Sequence, residues 1–155
     1  MDKAYYKSPI GIIEVIGDGE SITEIHFCDC EISETSEIYK IKDIPFYIDD
    51  CIKQLSEYFD KKRKTFDLKL NPKGTEFQKK VWNELLKIPY GETRSYKDIA
   101  KNIGNPKAVR AVGGANNKNP IAICIPCHRV IGKSGKLVGY AGGLDKKEYL
   151  LNIEK

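Results

Sequence analysis

The densest chemistry in this sequence is Cys127-His128-Arg129, set directly behind Pro126. An apolar run, Ile121-Ala122-Ile123-Cys124-Ile125, leads into the proline. Its length and content read as a strand, and Pro126, with no N–H and a fixed φ, ends any ladder. A strand that stops by presenting a thiol, an imidazole and a guanidinium reads as a reactive site on a rigid support. The chemistry would be nucleophilic. Thiolate is the attacking species, and a thiol of ordinary pKa, about 8.5, holds only a few per cent of it at neutral pH. Cys127 therefore needs a base or positive surroundings. His128 and Arg129 are of the right types, but neighbours in an extended chain face opposite ways, so His128 would work through a turn or a bridging water. The same residues also suit a small buried hydrophobe beside a capping histidine. Cys124-x-x-Cys127 has the spacing of a dithiol redox pair, but no βαβ pattern surrounds it, and Cys124 reads as a buried strand residue.

The elements that must hold this site lie in the second half. Thr75 caps a helix with Phe77, Val81, Trp82, Leu85 and Ile88 on one broad apolar stripe, stopped by Pro89-Tyr90-Gly91. Ser95-Tyr96-Lys97-Asp98 has the capping-box layout and opens a short helix with Ile99, Ala100 and Ile103, ended by Gly104. Asn105-Pro106 restarts a second helix that runs to Ala115. Two short helices about a glycine turn read as helix-turn-helix. The small residues Ala111, Gly113, Gly114 and Ala115 allow a close approach, either to protein core or to a DNA groove. Lys107 and Arg110 stand where phosphate or groove contacts are made. After the reactive segment, Gly132 to Gly135 is a turn, and Val138 to Gly143 is a flexible loop carrying Tyr140, an aromatic able to stack a base. Leu144 to Glu154 is a last helix, capped by Asp145, with Leu150, Leu151 and Ile153 as core candidates. Sequence alone gives Glu154 no role.

The first half offers support rather than chemistry. Ala4 to Phe27 reads as two strands about Gly17-Asp18-Gly19. Residues 31–42 are polar and read as a loop or short element. Ile48, Ile52, Leu55 and Phe59 share one helical face behind Pro45, and Phe66, Leu68 and Leu70 alternate as in a half-buried strand. His26, Cys28 and Cys30 are spaced too tightly for the usual zinc pairs, and no second pair follows, so no metal is expected. Five cysteines in irregular spacing, with no early apolar leader, point to free thiols in a cytoplasmic protein. No stretch has the length of a membrane span. Net charge is +4 over 155 residues, but residues 1–73 carry 11 basic and 15 acidic side chains, and residues 74–155 carry 15 and 7. The second half alone has the field that draws a polyanion.

From about Thr75 to Glu154 the chain resembles the catalytic domain of the O6-alkylguanine-DNA alkyltransferases, also called methylated-DNA–protein-cysteine methyltransferases. The matching pieces are Pro89-Tyr90-Gly91-Glu92, Ser95-Tyr96, Gly104 to Ala108, Arg110 to Ala115, Asn119-Pro120, Pro126 to Val130, and Gly142-Gly143-Leu144. The resemblance implies an α+β chain: a small ribonuclease-H-like domain over residues 1–73, then a mostly helical, winged-helix-like helix-turn-helix catalytic domain over residues 74–155. It implies that Cys127 takes the alkyl group from O6 of guanine in double-stranded DNA, irreversibly and once per molecule. His128 would deprotonate it through a water, Glu154 would orient the imidazole, and Asn119 would brace the turn. Tyr96 would donate to the leaving guanine. Arg110 would fill the gap left by the flipped base. Ala111, Gly113 and Gly114 would enter the minor groove, and Arg129, Val130, Tyr140 and Ala141 would complete the DNA and base contacts. No cofactor, metal or protein partner is implied, and the protein would be a monomer. Cys124 departs from the apolar residue the family more often has there, and Ala141 from a serine. Two other readings compete. One is a damage sensor that binds without transfer, although such relatives lack the nucleophile. The other is a thiol hydrolase or oxidoreductase, which would leave Arg110 and the basic half unused.

Overall fold

The computed structural model describes residues 1–28 and 44–155. The loop expected over residues 31–42, and Cys30, lie outside the described residues. The chain divides into two compact units, Met1–Pro72 and Lys73–Lys155. Among the described residues no helix is long and apolar enough to cross a membrane.

The first unit is an antiparallel sheet, β1 Asp2–Ser8, β2 Gly11–Gly17 and β3 Ile22–Cys28, with helix α1 Phe46–Phe59 packed on β1 and β2. Three strands stand where two were expected. Pro9-Ile10 is a second turn, in which Ser8 Oγ accepts from Ile10 N–H at 3.2 Å and donates to Gly11 O at 2.6 Å. Gly11, at φ +126°, completes it. Ala4, Ile13, Val15 and Ile25 form the buried sheet face, and Ile48, Cys51, Leu55 and Tyr58 cover it. The segment with Phe66, Leu68 and Leu70 is extended and half-buried as expected, yet it pairs through a single parallel bridge, Leu70 to Ile22. Upstream of that bridge, buried Gln54 takes the place of a neighbouring strand. It accepts from Asp67 N–H at 2.9 Å and donates to Asp67 O at 3.1 Å. His26 pairs with Glu14 at 2.8 Å. Cys28 is disulfide-bonded, which corrects the expectation of free thiols at that position. An odd cysteine count leaves one thiol over but does not forbid a pair. Cys51, Cys124 and Cys127 carry thiols.

The second unit holds α2 Glu76–Leu85, α3 Tyr96–Asn102, α4 Val109–Asn117 and α5 Leu144–Ile153, with a short parallel pair, β4 Arg94–Ser95 and β5 Val130–Ile131. Two of the starts read from sequence are capped, whereas Asp145, read as the cap of the last helix, lies within the first turn of α5, which starts behind Gly143 with no side-chain cap. Thr75 and Gln78 form a capping box on α2, and Ser95 and Asp98 form another on α3. The second helix of the pair starts later than expected. Residues 105–108 make a turn closed by Ala108 N–H to Asn105 O at 3.0 Å, and α4 follows with no side-chain cap. Asn105 ends one turn instead of capping the next helix, so Lys107 stands ahead of α4. α2, α3 and α4 pack together over Val81, Trp82, Leu85, Ile99, Ala100, Val112 and Ala115. Trp82 Nε1 donates to Ala115 O at 2.9 Å, which locks α2 to α4.

Candidate active site

The run before Pro126 is a turn, not a strand. Ile121 N–H donates to Asn119 Oδ1 at 3.0 Å, and Asn119 Nδ2 donates to Ile125 O at 2.8 Å. Inside the loop thus closed, Ile125 N–H reaches back to Ile121 O at 3.0 Å, and Ile123 adopts φ +72°. A β-branched residue is an outlier there. Ile121, Ile123 and Ile125 are all buried. A short apolar run looks the same in sequence whether a neighbouring strand or one amide side chain satisfies its backbone. Pro126 then leads into a single 3-10 turn, Cys127–Arg129, and β5 ties its far end to β4, just ahead of Tyr96. Three chemically active side chains are therefore presented by one tight turn, anchored on both sides.

Glu154 is the hub behind that turn. Its Oε2 lies 2.7 Å from His128 Nε2 and accepts from an Arg129 terminal nitrogen at 3.0 Å, and its Oε1 accepts from Arg129 Nε at 2.9 Å. Arg129 also donates to Ile88 O at 2.7 Å. His128, Arg129 and Glu154 are all buried. The Pro89-Tyr90-Gly91 turn secures the hub from outside. Tyr90 Oη donates to Ile153 O at 3.0 Å, Gly91 N–H donates to Glu154 Oε1 at 3.3 Å, and the Arg129 guanidinium lies 5.8 Å from the Tyr90 ring centre. Gly91 has φ +82°, and a Cβ there would come within 3.0 Å of Glu154 O, so the close approach needs glycine.

The electrostatics suit a proton relay. The carboxylate of Glu154 holds His128 Nε2, which fixes the imidazole as the Nε2–H tautomer with Nδ1 left as the acceptor. Nδ1 is buried and has no hydrogen-bond partner among the described residues. Burial holds His128 below its ordinary pKa despite Glu154, so the ring is neutral at pH 7. Burial raises the Cys127 thiol, and the Asn119 amide and the positive charge of Lys147 oppose that rise. The resting pair is thus thiol and neutral imidazole, a nucleophile and base awaiting a substrate.

Around the sulfur stand groups from three other elements. Tyr96 opens α3; its hydroxyl donates to Val138 O at 3.0 Å, and burial with the nearby Cys127 raises its pKa. Tyr140 is raised well above 10 by burial, then by Cys127. Asn116 of α4 is buried, and its Nδ2 lies 3.4 Å from Cys127 O. Lys147 of α5 is fully buried, and its ammonium donates to Val130 O at 2.6 Å and Val138 O at 2.8 Å. Neither Asn116 nor Lys147 was singled out from sequence. Lys147 sits in a charged stretch, Asp145-Lys146-Lys147-Glu148, that reads as a solvated helix face.

The structure brings Cys127, His128, Glu154, Asn119 and Tyr96 together. Arg129, expected among the DNA contacts, faces inward instead. Glu154 is a buried carboxylate that needs cationic partners, and Arg129 supplies the two-pronged one. Val130 is buried with its carbonyl on Lys147, Tyr140 is half-buried, and Ala141 is exposed. Arg110, Ala111 and Gly114 are exposed on α4, and Gly113 is half-buried, where an added Cβ would lie 3.9 Å from the Tyr96 ring. A Cβ at Gly114 would meet nothing within 4 Å, so core packing does not demand the smallness of that face.

A thiol backed by a buried His–Glu pair, under a helix-turn-helix pair, is the arrangement of a cysteine nucleophile on a DNA-binding fold. Comparison with known proteins narrows this. The family model described as the 6-O-methylguanine DNA methyltransferase DNA binding domain matches residues 76–155, and that of the same family's ribonuclease-like domain matches residues 1–72. The chain belongs to the 6-O-methylguanine DNA methyltransferase family. It is similar to the methylated-DNA–protein-cysteine methyltransferase of Methanosarcina acetivorans, with 54% identity over 154 residues, 99% of this chain and 98% of the relative. The protein of the same name from Mycobacterium bovis is 49% identical over 96% of this chain and 88% of its own. The crystal structure of Mycobacterium tuberculosis O6-methylguanine methyltransferase matches at TM-score 0.86 and 47% identity, over 99% of this chain and 92% of that one. The M. tuberculosis protein in complex with DNA matches at TM-score 0.87 and 46% identity, over 100% and 93%.

Proposed function

We propose that this protein repairs DNA by moving the alkyl group from O6 of guanine to its own Cys127, once per molecule. The observation that supports the reading is the buried His128–Glu154 contact of 2.7 Å, which leaves Nδ1 as the acceptor on the residue next to the thiol. The thiol proton passes through a water to Nδ1. The sulfur attacks the alkyl carbon, the S–C bond forms, and the C–O6 bond breaks. The guanine leaves with a hydrogen bond or proton from Tyr96, so no bare anion is released. The resulting thioether is not cleaved by water, and no cofactor restores the thiol.

The lesion reaches a buried thiol only by leaving the stack, at a cost of a few kcal/mol. Arg110 fills the gap, and the exposed small residues Ala111 and Gly114 let α4 lie in the minor groove. There the base-edge pattern is degenerate, so binding is largely independent of sequence. Tyr140 and the backbone at Val130 and Ala141 line the base pocket. Asn119 braces the thiol turn. Arg129 acts behind the site, holding Glu154. The protein works as a monomer.

Intact-mass measurement after incubation with a duplex containing O6-methylguanine tests the reading. One added methyl is expected, and none in Cys127→Ala. Tight binding without a mass change would instead make the chain a damage sensor. Arg110→Ala should slow transfer from duplex by about tenfold or more, while transfer from the free methylated base stays unchanged. Equal losses on both would remove Arg110 from the flipping step. Affinity for DNA should fall as salt rises.

A further inference from the structure

Among the described residues, His128 Nδ1 and Asn116 Oδ1 are buried with no hydrogen-bond partner. The first receives the thiol proton in the steps above. The second is used by none of them. A buried carbonyl oxygen left without a donor is costly, and a folded chain keeps few of them. Asn116 lies near the end of α4 with only 2% of its surface exposed.

Its neighbours fix which way the amide faces. Nδ2 lies 3.4 Å from Cys127 O, and the amide also donates toward the Tyr96 hydroxyl, which opposes the rise that burial gives that group. Both neighbours act as acceptors here. Cys127 O is a carbonyl, and the one O–H of Tyr96 is committed to Val138 O at 3.0 Å. Turned over, the amide would set Oδ1 against two oxygens. Oδ1 is therefore the acceptor left over. Cys127 and Tyr96 are also the two residues that the alkylated base must touch, one at the alkyl carbon and the other on the ring. To donate to the base, Tyr96 has to release Val138 O, so the contacts beside Asn116 change as the base enters.

The chemistry of the lesion says what can satisfy that oxygen. Alkylation at O6 removes the proton from N1 of guanine, and N9 carries the sugar. N3 and N7 are acceptors. The 2-amino group is the only N–H donor left on the base. We infer that Asn116 is a specificity-determining residue, whose Oδ1 accepts a hydrogen bond from the 2-amino group of the flipped O6-alkylguanine. The inference rests on the alkyl-transfer reading, and it names a part of the lesion, apart from the alkyl group, that the pocket reads. A buried acceptor rejects a base that brings no donor, because the acceptor then stays unpaired. O6-alkylhypoxanthine, the same ring without the amine, is such a base. O4-alkylthymine, which has no N–H, is another.

The test compares methyl transfer to Cys127, followed by intact mass, from two duplexes that differ by one amino group: one holds O6-methylguanine, the other O6-methylhypoxanthine. The wild-type chain should react with the first about tenfold faster or more. In Asn116→Leu, of similar shape and with no acceptor, the ratio should fall toward one. Loss of the Nδ2 contacts slows both duplexes alike and cancels in the ratio. A wild-type ratio near one would overturn the inference. So would a ratio that Asn116→Leu leaves as large as in the wild type, which would give the amine to another acceptor. If Asn116→Leu does not fold, Cys127→Ala bound to each duplex decides, through the NMR shift of the Asn116 side-chain carbonyl carbon. A larger change on binding the guanine lesion is expected, and equal changes would overturn the assignment. Absence of transfer from both duplexes would remove the alkyl-transfer reading itself, whereas transfer from both at one rate removes only the role of Asn116.

Discussion

The chain has two histidines, each set against a glutamate, and they belong to opposite units. His26 lies 2.8 Å from Glu14 with nearly half of its side chain in solvent, whereas His128 lies 2.7 Å from Glu154 with both side chains enclosed. The contacts are alike, so burial is what separates their consequences. With the imidazole open to solvent, such a pair is worth under about 1 kcal/mol. Enclosed, the same contact fixes a tautomer and depends on Arg129 for balance, while burial itself depresses the imidazole. The first unit uses polar groups to shape turns and edges; the second uses them to hold a nucleophile ready.

Removing one carboxylate from each pair gives the widest contrast. Glu154→Ala should cost about 3–5 kcal/mol, because the buried Arg129 guanidinium and the His128 ring N–H are left facing nothing, and methyl transfer should fall at least in step. Glu14→Ala should cost under about 1 kcal/mol and leave transfer intact. Urea melts with intact-mass assays check both; similar costs in the two units would break the contrast.

A pair of glycines sharpens it further. At Gly17 an added Cβ would overlap the ring of Tyr47, whose hydroxyl accepts from Gly19 N–H at 2.8 Å and bonds Asp2. Gly17→Ala should destabilise the first unit by about 1–3 kcal/mol. Gly114→Ala meets open space inside a helix and should raise thermal stability by up to about 1 kcal/mol while weakening DNA binding. Unchanged DNA affinity in Gly114→Ala would detach that face of α4 from the duplex.

The smallest effect is on acid stability. The folded protein holds His128 below its ordinary pKa, so below about pH 6.5 the unfolded chain binds the extra proton first. The contribution is complete above that value and is lost as the pH falls through the lower, folded pKa. Unfolding free energy should fall as the pH drops below about 6.5, and His128→Gln should flatten the curve there.

Much of the second unit was legible because its signals are local. Thr75 and Ser95 cap the helices they precede, Gly104 ends α3 at φ +82°, and Pro126 marks the start of the thiol turn. What was not legible depends on partners distant in the chain. Asn119 folds residues 121–125 into a turn, Gln54 holds residue 67 away from a full strand, and Glu154 draws Arg129 inward. Lys147 gave no signal, because a lysine between charged neighbours looks the same whether α5 turns it outward or inward. The family resemblance named Glu154 but set the arginine that balances it among the DNA contacts.

Ile123 carries a last consequence. Its site asks for two things that seldom come together: enough apolar bulk to fill a buried position in the turn that leads to the nucleophile, and a backbone twist that bulk resists. Glycine would relax the twist and leave a hole; asparagine would accept the twist and bring an amide into the core; valine or leucine would keep the fill and the discomfort. In a saturation library selected for heat resistance, this position should therefore return almost no improved clones.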